Sequence, residues 1–314
     1  MQKIISHLWF DTQAKEAAQF YVETFGRGSR VEHVNTLEGT PSGSVDLVTF
    51  RLLDCDFQAI SAGPYFKLNP SISFMVNFDP SQDKDAKSRI DTVWAALAEG
   101  GKVLMPLDTY PFSERYGWIE DKYGVSWQLI LTKPEGEERP LIIPSLLFVG
   151  DVYGKAEEAS DFYISVFKKS PFNQAQDETK RGTLARYGAG REPDTENAVM
   201  FTDFKLDDRW LVAMDSAHRH DFAFNEAVSF VVRCDTQEET DYYWEELSAV
   251  PEAEQCGWLK DKYGVSWQIV PTAMDVMMGE GSPEQIAKVT QAFLQMKKFD
   301  IAKLQLVYNE KNHN

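Results

Sequence analysis

Two glutamines end the two copies of one octapeptide, and their surroundings could form a binding site. Asp-Lys-Tyr-Gly-Val-Ser-Trp-Gln occupies residues 121–128 and again 261–268, 140 positions later, so the copies end at Gln128 and Gln268. Trp118 and Trp258 lie three residues before each copy. A glutamine side chain offers two donors and an acceptor, and beside aromatic rings it suits a neutral or zwitterionic organic ligand. Core packing explains the two tryptophans equally well.

Histidines and cysteines are the other residue types that could carry chemistry. His7 lies in the apolar opening segment Ile4–Phe10, where it could contact a ligand, act as a base or simply pack in a strand. His218 and His220 would point to the same side of an extended segment and could capture a metal ion, but a solvated hairpin is the favoured interpretation. The cysteines are widely spaced, with no C-x-x-C motif, which excludes a disulfide framework and a zinc knuckle: Cys55, Cys234 and Cys256.

The bulk composition narrows the class of partner. The formal net charge is -17, with no Lys/Arg cluster, which argues against a nucleic-acid or anionic-membrane surface. No run approaches the roughly 18–20 apolar residues of a membrane span, and the N-terminus does not read as a signal peptide. The sequence therefore predicts a cytoplasmic protein whose partner is a small molecule.

The elements that must position these residues follow from an internal duplication. Matches such as Phe20-Tyr21 with Phe162-Tyr163 and Ser73-Phe74 with Ser229-Phe230 keep the order of the repeated octapeptide. Apolar periodicity predicts a βαβββ unit twice in each half. In the first half it predicts strands at 4–10, 29–38, 45–52, 56–61, 72–78, 102–105, 117–120 and 126–131, and helices at 14–25 and 85–99. The last unit of the second half is short enough to lack a strand.

Domain boundaries follow from composition. We expect one domain over residues 1–133, a charged, Pro/Gly-bearing linker over 134–140, a second domain over 141–272 and a helical extension over 273–314. Ser282 and Asp300 are expected to cap helices of that extension. The segment 106–116 has no counterpart in the second half, and it is either a lid over a pocket or a longer hairpin.

The chain resembles the PhnB-like branch of the vicinal oxygen chelate superfamily, which includes glyoxalase I, dioxygenases and bleomycin-resistance proteins. The resemblance is carried by K-I-x-x-x-L-W-F-D, A-x-E-A-x-x-F-Y, S-x-F-x-V and G-W-x-x-D-K-Y-G-V-S-W-Q. This branch is often labelled 3-demethylubiquinone-9 3-methyltransferase. The resemblance implies an α+β fold of paired βαβββ modules around a pocket, in two tandem copies that pair within the chain as a pseudo-dimer. A further homodimer is left open.

The family's ligand positions can be carried over one by one. The first half places His7, Gln58, Ser73 and Gln128 there, and the second half places Ser145, Leu211, Ser229 and Gln268. Divalent catalytic metals prefer imidazole, thiolate or carboxylate ligands, so this set implies a site without metal. We expect no cofactor, and we expect the first half to keep the better pocket, with Gln58 and Gln128 bonded to the ligand. The whole predicted ligand set is His7, Trp9, Gln58, Ser73, Trp118, Gln128, Ser229, Trp258 and Gln268.

Two classes of function follow from the resemblance. The first is a protein that binds a small organic molecule in a metal-free pocket. The second is an enzyme, either methyltransferase-like as the family label says or a metal-dependent lyase or dioxygenase. The methyltransferase interpretation has little local support, because the single Gly-rich candidate, Gly188-Ala189-Gly190, runs into Arg-Glu-Pro-Asp and starts no helix.

Overall fold

Over its described residues, the chain forms three βαβββ modules, a fourth module that lacks one strand, and three C-terminal helices. The structure is a computed structural model that describes residues 2–133, 138–173 and 178–310. Module 1 contains β1 (Ile4–Phe10), α1 (Ala14–Phe25), β2 (Arg30–Thr40), β3 (Gly43–Leu52) and β4 (Cys55–Ser61). Module 2 contains β5 (Ile72–Phe78), α2 (Ala86–Ala98), β6 (Lys102–Tyr110), β7 (Ser113–Glu120) and β8 (Ser126–Leu131).

The second half repeats this order with one loss. Module 3 contains β9 (Ile142–Phe148), α3 (Ala156–Lys169), β10 (Lys180–Arg186), β11 (Val199–Leu206) and β12 (Arg209–Asp215). Module 4 contains β13 (Val228–Cys234), α4 (Gln237–Leu247), β14 (Trp258–Lys260) and β15 (Ser266–Pro271), without a strand between α4 and β14. The C-terminal extension contains α5 (Ala273–Gly279), α6 (Pro283–Phe293) and α7 (Ile301–Asn309). The α+β fold and the shortened last module are as the sequence predicted.

Each sheet combines modules from different halves. Sheet A has the order β14-β15-β13-β1-β4-β3-β2 and therefore joins modules 1 and 4. Sheet B has the order β10-β11-β12-β9-β5-β8-β7-β6 and joins modules 2 and 3. The seams between the halves are antiparallel, β1 against β13 and β5 against β9. The halves are thus intertwined, and the predicted domain boundaries, which follow the chain rather than the sheets, stay predictions.

Each sheet has a helix-covered face and an inner face. On β1, Leu8 and Phe10 share the main apolar core with Tyr21 of α1. Because side chains alternate along a strand, His7 and Trp9 lie on the opposite face, which we call the inner face. The corresponding inner face of sheet B carries residues such as Gln128.

The repeated octapeptide forms the turn before the last strand of its module. In the first copy, the Asp121 carboxylate accepts hydrogen bonds from the backbone N–H of Tyr123 at 2.8 Å and Val125 at 3.1 Å, and from Trp127 Nε1 at 2.8 Å. Gly124 takes the left-handed conformation that the turn needs, with φ +91°. Burial raises the pKa of Asp121 to about 6. The second copy repeats these bonds around Asp261, so most of the motif is structural, and its last residue points away to the inner face.

The remaining segments settle several sequence expectations. The stretch 106–116 belongs to the β6–β7 hairpin, so it is a longer hairpin rather than a separate lid. Ser282 forms a capping box with Gln285, and Asp300 caps α7, as expected. Residues 134–137 of the predicted linker lie outside the described residues, while Arg139 stacks over the Trp210 ring at 3.7 Å. No described helix has both the length and the apolar character needed to cross a lipid bilayer.

Candidate functional site

The structure divides the nine predicted ligand-binding residues between two sites. Site A, on the inner face of sheet A, brings together His7, Trp9, Gln58, Ser229, Trp258 and Gln268. Site B, on sheet B, contains Ser73, Trp118 and Gln128. The expected pocket built by the first half alone is therefore wrong. The physical reason is the antiparallel seams, which place each half's modules in different sheets.

A row of polar side chains crosses the centre of site A. His7 is the direct cross-strand neighbour of Gln58 on β4 and of Ser229 on β13. Gln268 donates a hydrogen bond from Nε2 to Ser229 Oγ at 3.0 Å. The half-buried Gln58 amide has no hydrogen-bond partner among the described residues. The row therefore has an unused amide at one end and a bonded amide at the other.

Two tryptophans wall this row. The Trp258 ring meets the His7 ring edge-on at 5.4 Å between centroids and the Trp9 ring at 6.0 Å. Trp9 Nε1 donates to the backbone carbonyl of Gly63 at 2.8 Å, which fixes the indole. Such T-shaped ring pairs favour a defined geometry over a loose apolar contact. The polar row therefore lies beside two held aromatic rings.

His7 is buried and uncharged. The residue is only 3% exposed, and Nδ1 has no hydrogen-bond partner in the part of the chain that the structure describes. Burial lowers the pKa of His7 to about 3, because the charged imidazolium would be cut off from water. At neutral pH the imidazole therefore offers one donor and one acceptor, and one of its ring nitrogens is unused.

Site B is a chain of hydrogen bonds with a defined direction. Tyr116 donates from its hydroxyl to Gln128 Oε1 at 2.8 Å, and Gln128 Nε2 donates to Ser73 Oγ at 2.6 Å. Trp118 donates separately to Ser126 Oγ at 2.8 Å. Unlike Gln58, Gln128 thus has partners for its oxygen and its nitrogen within the protein.

Three residues of site B differ from the sequence expectation. Ser145 lies opposite Ser73 across the seam, and its buried Oγ has no partner. Its other neighbour is Val212, which takes the place that Gln58 holds beside His7. Leu211, expected at that place, belongs to the helix-covered core. Tyr116 was not predicted, although its spacing of two from Trp118 on one strand puts both on the same face.

The donor set does not fit a catalytic transition metal. Site A contains a single imidazole and no carboxylate, and the amide and hydroxyl oxygens beside it are weak ligands for such ions. Across residues 2–133, 138–173 and 178–310, no three His, Cys, Asp or Glu side chains lie close enough to hold a metal ion together. The residues of site A therefore do not fit chemistry that passes through a bound transition metal.

Two further motifs lie away from both sites. His220 Nε2 is 2.9 Å from Ser216 Oγ in the loop after β12, and His218 is exposed. Gly188 and Gly190 lie in the loop between β10 and β11, where no helix follows them. The loop therefore lacks the strand-to-helix turn at which nucleotide cofactors bind.

Comparison with models of protein families identifies the family to which the chain is related. The family model described as 3-demethylubiquinone-9 3-methyltransferase matches residues 2–130 and again residues 140–270. The chain belongs to this family. The two matches also confirm the tandem arrangement expected from the repeated octapeptide. No curated protein matches the chain.

Some solved structures match about two fifths of the chain, which is the length of one copy, and others match most of the chain. A PhnB protein from Bacillus cereus is 35% identical over 42% of this chain and 100% of its own, with a TM-score of 0.37. A protein from Pseudomonas aeruginosa is 21% identical over 40% of this chain and 95% of its own, with a TM-score of 0.33. Glyoxalase I from Zea mays is 11% identical over 86% of this chain and 94% of its own, with a TM-score of 0.47.

Proposed function

We propose that the protein binds a small, uncharged organic molecule at site A, without a metal ion. The observation that carries the proposal is the pairing of an unused ring nitrogen on the buried His7 with the unpartnered amide of Gln58, its cross-strand neighbour. A buried polar group without a partner costs about 1–3 kcal/mol, and a ligand group that bonds to it removes that cost. Neutral His7 and Gln58 offer both donors and acceptors.

The surroundings of the pair support an aromatic or heteroaromatic ligand. Trp9 and Trp258 flank the polar row, and none of the six site A side chains is charged at neutral pH. All six come from one chain, so a single polypeptide suffices to build the site. Three unpaired cysteines agree with action in the reducing cytoplasm.

The test is a ligand screen followed by matched variants. Neutral aromatic ketones, amides and heterocycles are screened by thermal shift against protein dialysed with a chelator. Hits are then measured by calorimetry on wild type, Gln58→Leu and the surface control Gln82→Leu. Gln58→Leu should weaken binding about tenfold, equivalent to about 1.4 kcal/mol, while Gln82→Leu binds as wild type. The proposal fails if no compound binds, if binding needs added metal or if Gln58→Leu binds as tightly as wild type.

A further inference from the structure

The C-terminal extension is fastened to module 4 on both sides of α6. Before α6, α5 follows β15 directly, and Asp275 forms an ion pair with Arg233 of β13. After α6, the carbonyls of Met296 and Lys297 accept hydrogen bonds from the backbone N–H groups of Cys256 at 2.8 Å and Gly257 at 2.7 Å. Residues 277–295 span the interval between these attachments, and we call them the strap.

The far attachment involves several independent contacts. Gln237 of α4 donates from Nε2 to the Phe299 carbonyl at 3.0 Å, and its Oε1 accepts from Ile301 N at 2.8 Å. Lys298 pairs with Asp241 of the same helix at 2.6 Å. The chain beyond the strap is therefore held by backbone bonds, side-chain bonds and an ion pair.

The strap itself reaches across to module 1 and covers part of site A. Its Met278, Ile286 and Phe293 pack into one apolar cluster with Trp9 and Ile60 of the inner face. That cluster also contains buried module 1 residues, namely Leu37, Val45 and Ala62. Trp9 and Ile60 are cross-strand neighbours two residues beyond His7 and Gln58. The strap therefore lies over the end of site A that Trp9 forms.

A hydrogen bond between the strap and module 1 lies at the surface of the protein. Gln291 Nε2 donates to the Gly39 carbonyl at 3.1 Å, and this bond is exposed to water. An exposed hydrogen bond contributes little net stability by itself, whereas the far attachment on module 4 combines two backbone bonds, two bonds of the Gln237 side chain and an ion pair. The polar hold of the strap on module 1 is therefore weak, whereas Val289 at the centre of α6 is buried in an apolar cluster of the extension itself, with Met274, Phe299 and Leu304.

Sheet B has no counterpart of the strap. The described residues after β8 run through 138–140 into β9 without a helix, whereas β15 is followed by α5, α6 and α7. The positions equivalent to Trp9 and Ile60 in sheet B are Leu147 and Met214, as the matching register of β9 and β12 shows. The two sites therefore differ in their cover as well as in their polar residues.

We propose that the strap is a movable wall of site A, that it opens by local separation from module 1 to admit ligand, and that Ile286 and Phe293 limit the size of the ligand. The inference rests on the proposed function of site A. The movement of the strap and its shielding of Trp9 can nevertheless be measured in the absence of any ligand. A failure of the strap can therefore be told apart from a failure of the binding proposal.

Hydrogen exchange on the wild-type chain tests the movement. Amides of α6 (residues 283–293) should exchange at least about tenfold faster than those of the central strand β1, because α6 loses the support of module 1 when the strap separates and its helix can then unfold locally. Residues 299–301, beyond the far attachment, should stay protected relative to α6. The movement is overturned if α6 amides exchange only in step with β1.

Quenching of tryptophan fluorescence by acrylamide, a small neutral probe, tests the wall. Ile286→Ala should raise the acrylamide quenching constant of Trp9 fluorescence about twofold. The signal of Trp9 is identified by comparison with the same variant that also carries Trp9→Phe. Leu306→Ala, a substitution of an exposed α7 residue, is the control and should leave quenching unchanged. If Ile286→Ala quenches as wild type does, the strap is not a wall of site A, whatever the ligand screen finds.

Discussion

His7 lies where β1 is bonded to strands from both halves, and its neutral state links site A to the stability of the fold. Its pKa in the folded chain is lowered to about 3 from an ordinary value of 6.5, because burial disfavours the imidazolium. Between these values the unfolded chain takes up a proton that the folded chain does not. The contribution of His7 to stability is therefore present above pH 6.5 and is lost as the pH falls towards 3.

This loss can be isolated with one substitution. Relative to His7→Gln, wild type should lose about 2 kcal/mol of unfolding free energy between pH 6.5 and 4.5, with a slope that approaches about 1.4 kcal/mol per pH unit as the pH falls. Urea unfolding at a series of pH values measures the difference. His33→Gln, on the exposed side of β2, is the matched control and should run parallel to wild type. Parallel curves for His7→Gln and wild type would contradict the buried neutral state.

Gln128 differs from Gln268 in the number of partners that it satisfies. Gln128→Leu leaves Tyr116 and Ser73 without a partner and should cost about 1–3 kcal/mol of stability. Gln268→Leu leaves only Ser229 without this partner and should cause a smaller loss of stability. Adding Tyr116→Phe to Gln128→Leu should recover part of the loss, as measured by thermal unfolding. An equal cost for both glutamine substitutions would show that the Tyr116 bond contributes nothing.

The sequence could locate most of site A but not the grouping of its residues. The repeated motif identified Gln128 and Gln268, and the ligand positions carried over from the family resemblance identified His7 and Gln58. The face of β12 was misassigned by one residue, Leu211 for Val212, because a one-residue shift in register turns every side chain to the other face. Ser145 was located by the repeat, but its missing partner depends on the seam and is invisible in the sequence.

At the scale of elements, the attachment between the C-terminal extension and β14 depends on a glycine. Gly257 has φ +83°, and a Cβ there would meet Phe299 Cε2 at 2.6 Å. The backbone conformation and the close approach therefore both exclude a side chain. The tail segment 296–297 bonds to the backbone of 256–257, where the corresponding part of sheet B has β6 beside β7.

Gly257→Ala should release this attachment. We expect a loss of more than about 1 kcal/mol of stability and faster proteolysis within residues 294–300, because the alanine is strained and displaces Phe299. Gly279→Ala is the matched control, since nothing lies within 4 Å of its Cβ position and its φ is ordinary. The control should be neutral or stabilising by about 0.5–1 kcal/mol in a helix. Equal proteolysis of the two variants would exclude the steric argument.

Element type and order were largely predictable, whereas the place of the tail was not. An apolar run predicted β1, alternation predicted β5 and helical periodicity predicted α1, because each buries one face against a local partner. β6 and β7 were predicted too short, since their hairpin ends are exposed and lack an apolar pattern. The surface on which the strap packs could not be predicted, because an apolar stripe at Ile286 and Phe293 does not indicate which surface it covers.

At the scale of the whole molecule, equivalent positions of the two halves meet in the interior. Cys55 begins β4 and Arg209 begins β12, each three residues before the equivalent pair Gln58 and Val212. Arg209 is 1% exposed, and its Nη1 lies 2.9 Å from Cys55 Sγ while Nε and Nη2 have no partner. Burial raises the pKa of Cys55 to about 12. The neutral thiol accommodates the guanidinium from the other half.

A second buried arginine at this contact should not be tolerated. Cys55→Arg places two guanidinium groups together in the interior and should cost at least about 3–5 kcal/mol or prevent folding. Cys55→Ser keeps a small neutral group and should cost far less, about 1 kcal/mol. Denaturant unfolding and yield of monodisperse protein compare the two. Similar stability of the arginine and serine variants would show that the contact is not sealed from water.

The internal duplication predicted that the two halves pair with each other, but no local sequence feature indicated which strands form the contact. Strand pairing across the β1–β13 seam joins residues 220 or more positions apart, such as Ile4 with Val232. The edges of β1 and β5 are chemically alike in sequence, so the choice between pairing within a half and between halves depends on the whole fold. This is why His7 and Gln128 were assigned to one pocket and are found in two.

The seams also impose an order on biosynthesis. When the ribosome has released only the first half, β1 and β5 each present an unpaired edge, because their partners β13 and β9 have yet to be made. Sheet B can close once module 3 emerges, but sheet A must wait for β13, near residue 230. Such long sequence separation slows folding, and exposed strand edges invite pairing with neighbouring nascent chains on the same messenger. In this intertwined architecture, β1 is the first strand to be synthesised and one of the last to obtain both of its strand neighbours.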